Sequence, residues 1–325
     1  MTVHAPARRG NGRPIALTMG DPCGIGPEVV LKALADAPPF REHVVIGDRM
    51  WLVREAERLR LPVPDHVIQV GDPLPADLPV GQVSAVGGDA AYRYVVEAIR
   101  LAMAGTVRAI VTAPLSKEAM NAAGHDYPGH TELLAERSGE VPVRMMLANE
   151  ELRTVLVSIH VPLREAIELV TPERVLETLV LTDRALRRSG IETPRLAVAG
   201  LNPHASENGM FGSEERERIL PAIEQARARG IDASGPHPPD TVFMRARGFR
   251  EFDAVVAMYH DQGLIPVKYL GLDEGVNITI GLPFVRTSPD HGTAFDLAGR
   301  GLADPRSLKA AIEHADRLSR CASTT

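Results

Sequence analysis

The alternation of apolar runs with amphipathic segments predicts an α/β fold. A strand is expected at Ile15–Thr18, and further buried strands in "VRAIVTAP", "TVLVSIH", "RLAVAGLNPH" and "FDAVVAMYH". Longer segments such as "AAYRYVVEAIRLAMAG" and "PERVLETLVLTDRALRRSG" carry apolar residues with the period of a helix. Strands that alternate with helices form a sheet whose strands are mostly parallel, so we expect a largely parallel central sheet.

The length of the chain and two interruptions in this pattern suggest two domains. With 325 residues the chain is long for one compact core. The alternation of strands and helices breaks near Leu133–Glu140. The glycine- and proline-rich segment "GLPFVRTSPDHGTAFDLAGRG" can return the chain from the second domain to the first. We predict one α/β domain from residues 14–135 and 284–325, and a second from residues 136–283. Residues 1–13 lack the apolar centre of a secretory signal and are expected to form a flexible leader.

Composition narrows the class of partner. The chain has 36 basic and 42 acidic residues and a net charge of −6, which disfavours nucleic acid and anionic membranes because both select a basic face. The only cysteines, Cys23 and Cys321, cannot form a disulfide framework or a cysteine metal knuckle. No apolar run approaches the ~18 residues of a membrane span. The cytoplasm is therefore the expected location.

Three of the predicted strands end near a histidine: His160, His204 and His260. In an open α/β sheet, ligands bind outside the carboxyl ends of the strands, so the three imidazoles could meet there. Three neutral imidazoles can hold a divalent ion such as zinc, cobalt or manganese and leave positions open for a substrate. The alternative is that each histidine caps its strand through ordinary hydrogen bonds. Spacing alone leaves both interpretations open.

Polar residues that follow these strands suggest an anionic ligand. Lys268, Asn277 and Arg286 together suit a ligand rich in carboxylate or phosphate oxygens, although they could also be unrelated surface groups. His130 and Thr131 stand at the start of a predicted helix. The free amides there could bind an anion, or the two residues could form an ordinary N-cap.

Two further residues are catalytic candidates. Lys117 follows a buried strand and could relay a proton or bind an anion, or be a solvated lysine. Asp240 in "PPDTVF" could be a base or a turn residue. The glycines of "GDPCGIGPE" do not have the Rossmann spacing, and neither a P-loop nor a nucleophile elbow occurs.

Several long motifs carry a resemblance to a known family. In order along the chain they are "MGDPCGIGPEV", "PGHTELLAERSG", "NPHASENGMFG", "AMYHDQGLIPVK" and "GVNITIGLPFVRTSPDHGTAFDLAG". Together they resemble the 4-hydroxythreonine-4-phosphate dehydrogenase family. "DHGTAFDLAGRGLADP" is also similar to the cofactor loop of isocitrate and isopropylmalate dehydrogenases. The resemblance implies that superfamily's fold, with two α/β domains, a cleft between them and a homodimer.

The resemblance also implies roles for individual residues. His160, His204 and His260 become ligands of one divalent metal ion (Zn, Mg, Co or Mn) that both subunits hold jointly, with His260 reaching the partner's site. The substrate-binding positions are His130, Thr131, Lys268, Asn277 and Arg286. The loop expected to hold NAD or NADP comprises His291, Gly292, Thr293 and Ala294. Lys117 and Asp240 match recurrent family positions and are expected to be catalytic.

The implied reaction is the oxidation of a 3-hydroxyl in a 4-phosphorylated four-carbon acid, followed by decarboxylation. A metal ion lowers the pKa of the hydroxyl, and NAD accepts the hydride. The substrate is 4-phospho-D-threonate or 4-phospho-D-erythronate, or else 4-hydroxythreonine 4-phosphate; the wording of "SENGMFG" and "GPHPPDTVF" is closer to the sugar acids. Alternatives are a cis-dihydrodiol dehydrogenase of the same family, a three-histidine metal hydrolase, an acyl-phosphate transferase and a protein that only binds ligands.

Overall fold

The computed structural model describes residues 12–35, 42–271 and 275–321. The chain divides into two compact units. Unit 1 comprises Met1–Asp126, Gly292–Pro305 and Ala315–Thr325, and unit 2 comprises Tyr127–His291 and Arg306–His314. The domain boundaries expected after residues 135 and 283 differ from these divisions, and the domain assignment stays a prediction. Residues 1–11 of the predicted leader lie outside the described residues.

Unit 1 is a parallel sheet with helices. In chain order its elements are β1 (Ile15–Thr18), α1 (Gly26–Ala35), β2 (His43–Gly47), α2 (Arg49–Leu59), β3 (Val67–Gln69), α3 (Ala85–Met103), β4 (Ala109–Thr112) and α4 (Lys117–Ala122). The strand order is β3-β2-β1-β4, and every pair is parallel. All residues of β1 and β4 are buried, as expected for central strands that helices cover.

Unit 2 contains helices and strands that pair in both parallel and antiparallel directions. Its helices are α5 (His130–Arg137), α6 (Leu163–Leu169), α7 (Pro172–Arg188), α8 (Leu220–Ala228), α9 (Val242–Ala246) and α10 (His260–Leu270). Its strands are β5 (Arg144–Ala148), β6 (Arg153–Leu156), β7 (Arg195–Ala199), β8 (Asp232–His237), β9 (Ala254–Ala257), β10 (Val276–Ile280) and β11 (Val285–Pro289). The last helix, α11 (Arg306–Cys321), belongs to unit 2 up to His314 and to unit 1 beyond it.

The strand order in unit 2 is β11-β10-β5-β6-β9-β7-β8. The pairs among β6, β9, β7 and β8 are parallel, which confirms the predicted parallel sheet for these strands. Strand β5 is antiparallel to β6, and β10 is antiparallel to β5 and β11. The β5–β6 connection is a tight turn in which the Asn149 side chain accepts hydrogen bonds from the amides of Glu151 and Leu152. Strands joined by such a short connection can pair only in the antiparallel direction. The sequence analysis did not predict these antiparallel strands.

The core of unit 2 lies directly beneath the ends of β7 and β9. Ala199 and Ala257, the last residues of β7 and β9, are fully buried and pack with Leu156, Leu264 and Val267. The first turns of α10 are therefore anchored in the core. No helix in the described ranges is long and apolar enough to cross a membrane.

Candidate active site

The three predicted metal histidines follow three neighbouring strands. In the sheet of unit 2, β9 lies between β6 and β7 and is parallel to both. His160 follows β6, His260 follows β9 and His204 follows β7. Because parallel neighbours end at the same edge, all three chain segments leave the sheet on one side. The structure therefore brings the three segments to one edge, and the metal-binding role of their histidines stays a prediction.

His160 and His260 lie close together. Their ring centroids are 5.8 Å apart, and the ring planes are tilted by 42°. His260 is the first residue of α10, and its Nδ1 lies 2.7 Å from Oδ1 of Asp261. A carboxylate that holds the proton on Nδ1 leaves Nε2 with a lone pair for a metal. A cavity of about 350 Å³ is lined by both rings together with Leu163 and Tyr259.

His204 lies in a left-handed turn. The five residues from His204 to Asn208 all have positive φ, between 43° and 64°. Left-handed backbone costs L-residues roughly 1–2 kcal/mol each, so other contacts must hold this turn. Glu215, only 3% exposed, does so: its Oε1 accepts hydrogen bonds from the amides of Leu201 (2.8 Å) and Asn202 (2.6 Å). His160 also has a positive φ, of 30°. Backbone strain of this kind concentrates at functional sites.

One chain does not complete a three-ligand set. Within the described residues, no group of three or more His, Cys, Asp or Glu side chains could hold a metal ion. The His204 side chain is 64% exposed, and its Nδ1 lies 3.4 Å from Oε2 of Glu207. The imidazoles nevertheless fit a divalent ion, because two rings are adjacent and the third is presented to solvent from the neighbouring strand. The joint site with a second subunit stays a prediction.

Strands β10 and β11 bring together two of the predicted substrate residues. Asn277 and Thr279 lie two apart on β10 and therefore share one face. Arg286, on β11, donates from Nη1 to Oγ1 of Thr279 at 2.9 Å. The buried Oδ1 of Asn277 has no hydrogen-bond partner among the described residues. A buried polar atom of this kind indicates a ligand or water.

Arg286 is the largest fully buried side chain among the described residues, with 2% exposure. Burial removes the hydration of its guanidinium and lowers its pKa to about 9, so the group stays charged at neutral pH. A buried cation is stabilised by an anion bound against it. Lys268 adds a second positive charge near the end of β11, where its Nζ lies 3.1 Å from Oδ2 of Asp290. Both cations fit an anionic substrate.

We expect inorganic phosphate to raise the melting temperature of the protein through Arg286. A ligand at about 100 times its dissociation constant stabilises by roughly 2.7 kcal/mol. In Arg286→Met this gain should disappear, because the guanidinium that binds the anion is gone. Differential scanning fluorimetry measures both effects.

Arg144 provides the matched control. It is also buried, and its guanidinium donates hydrogen bonds to Thr178, Val143 and Glu177. Arg144→Met should therefore lower the melting temperature and keep the gain from phosphate. Retention of that gain in Arg286→Met would show that the anion binds elsewhere.

The predicted cofactor loop is fastened to the start of α1. The amide of Ile25 donates to the carbonyl of Thr293 at 2.9 Å. Ala294 has a positive φ of 39°, and a side chain at Gly292 would meet open space. Further along, the buried Glu28 accepts hydrogen bonds from the amides of Gly301 (3.2 Å) and Ala303 (2.8 Å). The open backbone at Gly292 and the firm support fit a loop that holds a nucleotide.

Asp21, in the loop between β1 and α1, is a residue that the sequence reading did not single out. It is fully buried, and its Oδ1 accepts from the amide of Cys23 at 2.9 Å. Burial raises the pKa of its carboxyl to about 6. The buried carboxyl lies beside the chain segment that supports the cofactor loop.

The other predicted residues lie at element starts and turns. His130 begins α5, and Thr131 follows it and is buried. Lys117 is the first residue of α4 and is exposed. Asp240 is exposed in the turn before α9. Their roles in binding or catalysis stay predictions.

Three comparisons place the chain among known proteins. The family model for the pyridoxal phosphate biosynthetic protein PdxA matches residues 39–315. A 4-hydroxythreonine-4-phosphate dehydrogenase from Beijerinckia indica is 54% identical over 320 residues, which cover 94% of this chain and 95% of that protein. A D-threonate 4-phosphate dehydrogenase from Cupriavidus necator is 48% identical over 323 residues, or 94% and 97% of the two chains. The crystal structure of a 4-hydroxythreonine-4-phosphate dehydrogenase from Klebsiella pneumoniae matches with a TM-score of 0.86 at 44% identity, covering 94% of this chain and 99% of that one.

Proposed function

This chain belongs to the PdxA family of pyridoxal phosphate biosynthetic proteins, and from that premise we propose that it is a dehydrogenase of phosphorylated hydroxy acids. It oxidises the 3-hydroxyl of a 4-phosphorylated four-carbon acid with NAD and a divalent metal ion, and the product loses its carboxylate. The observation that carries the proposal is the position of His160, His260 and His204 after three adjacent parallel strands. Relatives named as dehydrogenases of 4-hydroxythreonine 4-phosphate and D-threonate 4-phosphate support it.

The metal would be held by the three imidazoles. When bound, a divalent ion supplies Lewis acidity that lowers the pKa of a nearby hydroxyl. Asp261 would keep the proton on Nδ1 of His260, which would leave the lone pair of Nε2 for the metal ion. The left-handed turn presents His204, and Glu215 holds that turn in place.

The anionic ends of the substrate would be bound by the side chains around β10 and β11. Arg286 offers a buried guanidinium, which recognises phosphate or carboxylate through paired N–H donors. Asn277 offers a polar atom that has no hydrogen-bond partner in the part of the chain that the structure describes, and Lys268 offers a further cation. His130 and Thr131, at the start of α5, complete the proposed set. These groups bind and orient the acid, because a fixed charge costs no reorganisation during reaction.

NAD would lie along the loop that contains His291, Gly292, Thr293 and Ala294, where the backbone is open and supported by α1. Lys117 and Asp240 are the proposed proton-transfer groups, and both are exposed to solvent. An exposed lysine and an exposed carboxyl can exchange protons with water, as a relay requires.

A homodimer is part of the proposal. Helix α10 begins with His260 and exposes Ile265 (63%) and Tyr269 (91%) four residues apart on one face. Exposed apolar groups beside a polar site are typical of a surface that another chain covers. A second copy of this chain, bound at that face, would bring His260 to the partner's site.

The deciding experiment measures NADH formation with a substrate panel. We expect NADH and carbon dioxide in equal amounts from 4-phospho-D-threonate, 4-phospho-D-erythronate or 4-hydroxythreonine 4-phosphate, with a divalent ion present. A chelator should abolish the reaction, and re-addition of the ion should restore it. Release of phosphate without any NADH would instead identify a three-histidine hydrolase. The ratio of kcat/KM for the hydroxy and amino acids ranks the substrates.

A further inference from the structure

A chain of hydrogen bonds joins the ends of the three strands that precede the histidines. At the end of β6, Oγ of Ser158 donates to the carbonyl of Met258 at 2.9 Å. The amide of Met258 donates to Oε1 of Gln262 at 2.7 Å. Nε2 of Gln262 donates to the carbonyl of Gly200, after β7, also at 2.7 Å. The links run β6 to β9 to β7, which is the order of the strands in the sheet.

Gln262 makes two of these three links. It is the third residue of α10, and its side-chain oxygen reaches back to a backbone amide that precedes the helix, as in a capping box. Its nitrogen holds the segment that leads into the left-handed turn of His204. One side chain thus contacts both the segment that ends in His260 and the segment that ends in His204.

The segment after β7 is tightly confined at Gly200. Its amide donates to the carbonyl of His237 at 2.8 Å, and a Cβ at this position would lie 2.8 Å from the Cα of Ala205. The loop therefore folds back on Gly200, so a shift of Gly200 moves the turn that carries His204. Five successive residues of that turn have left-handed backbone, which is unfavourable for L-residues. The turn therefore depends on hydrogen bonds from the residues around it.

We propose that Gln262 is a positioning residue that fixes the His204 turn against the start of α10. This inference rests on the proposed function, because it takes both histidines as metal ligands. Gln262 touches neither metal nor substrate in this role; it acts through the backbone at Gly200 and Met258. Residues that orient metal ligands typically contribute ~10- to 100-fold to metal affinity.

Two variants separate the two bonds. Gln262→Met removes both, whereas Gln262→Glu keeps the acceptor for the amide of Met258 and loses the donor to Gly200. Each should bind Mn²⁺ ~10- to 100-fold more weakly than the wild type. The melting temperature should fall by no more than ~4 °C, because only one or two hydrogen bonds are lost.

Amide hydrogen exchange in the metal-free protein gives a readout that needs neither metal nor activity. In Gln262→Glu, the amides of Leu201 and Asn202 should exchange faster while the amide of Met258 stays protected. In Gln262→Met, all three should exchange faster. A change confined in this way follows from local opening and not from global loss of stability.

Gln69 is the matched control. In unit 1 its Oε1 accepts from the amide of Arg49 at 2.8 Å, and its Nε2 donates to Asp48 at 3.1 Å. Gln69→Met should leave the Mn²⁺ affinity unchanged. The proposal is overturned if both Gln262 variants bind Mn²⁺ within twofold of the wild type, if Gln69→Met loses as much affinity, or if exchange at Leu201 and Asn202 is unaltered. If the wild type binds no divalent ion, the proposed function fails, and the exchange data alone decide the role of Gln262.

Discussion

His204→Ala is expected to remove metal binding and turnover while leaving the fold intact. The imidazole is 64% exposed, so its loss removes little packing, and the free energy of unfolding should change by less than about 0.5 kcal/mol. Alanine can adopt the left-handed backbone of this turn, as Ala205 already does with a φ of 53°. The affinity for a divalent ion should fall by more than ~100-fold, because a ligand contributes more than the residues that orient it. Titration calorimetry with Mn²⁺ and the formation of NADH measure the two losses.

His66 supplies the control for this variant. It is exposed in unit 1, ahead of β3, and is bonded through its backbone carbonyl to the amide of Val45, a bond that alanine preserves. His66→Ala should therefore retain full metal affinity and activity. A metal-stripped His204→Ala protein with full activity would refute the ligand role of His204.

The sequence predicted the placement of the site because strand ends are visible in an apolar pattern. "FDAVVAMYH", "TVLVSIH" and "RLAVAGLNPH" each show a buried run that stops before a histidine, and the parallel order of β6, β9 and β7 brings those stops to one edge. The family motifs then implied roles that the pattern alone left open, and these roles stay predictions. What the pattern could not show is which histidine lies close to which. That depends on the left-handed turn at His204 and on the helix that begins at His260.

The sequence alone could not show that Glu215, Gln262 and Arg286 contact or support the site, and the reason is different. Glu215 stands in the charged run "SEERER", which reads as a solvated helical face, yet the structure buries it against the amides of Leu201 and Asn202. Gln262 acts through backbone atoms that are distant in sequence, and a single sequence does not reveal such pairs. Arg286 could equally have been a surface arginine, because the sequence pattern does not show that its side chain is buried on β11. Tertiary contacts, not local preferences, decide these three positions.

Mixing two inactive variants should restore part of the activity if the metal site is shared between subunits. We expect His160→Ala and His260→Ala to be inactive alone. In a heterodimer, one of the two sites would combine the intact His160 of one chain with the intact His260 of the other. Random exchange of equal amounts makes half of the dimers mixed, so the activity should reach about a quarter of the wild-type value. Co-expression with two affinity tags allows the heterodimer itself to be assayed.

The contact between His160 and His260 within one chain makes this test sharp. Their centroids are 5.8 Å apart, so both rings could serve the same site in their own chain, with His204 supplied by the partner. That arrangement would let His160→Ala complement His204→Ala and not His260→Ala. The proposed arrangement gives the opposite result, because His160 and His204 then belong to one chain. In a symmetric dimer, a side chain near the two-fold axis also lies near the same side chain of the second subunit. His260 can therefore lie close to His160 of its own chain and still bind the metal ion in the partner's site. If no pair of variants recovers activity in a verified heterodimer, the site is not built from two subunits, and the exposed face of α10 must serve another purpose.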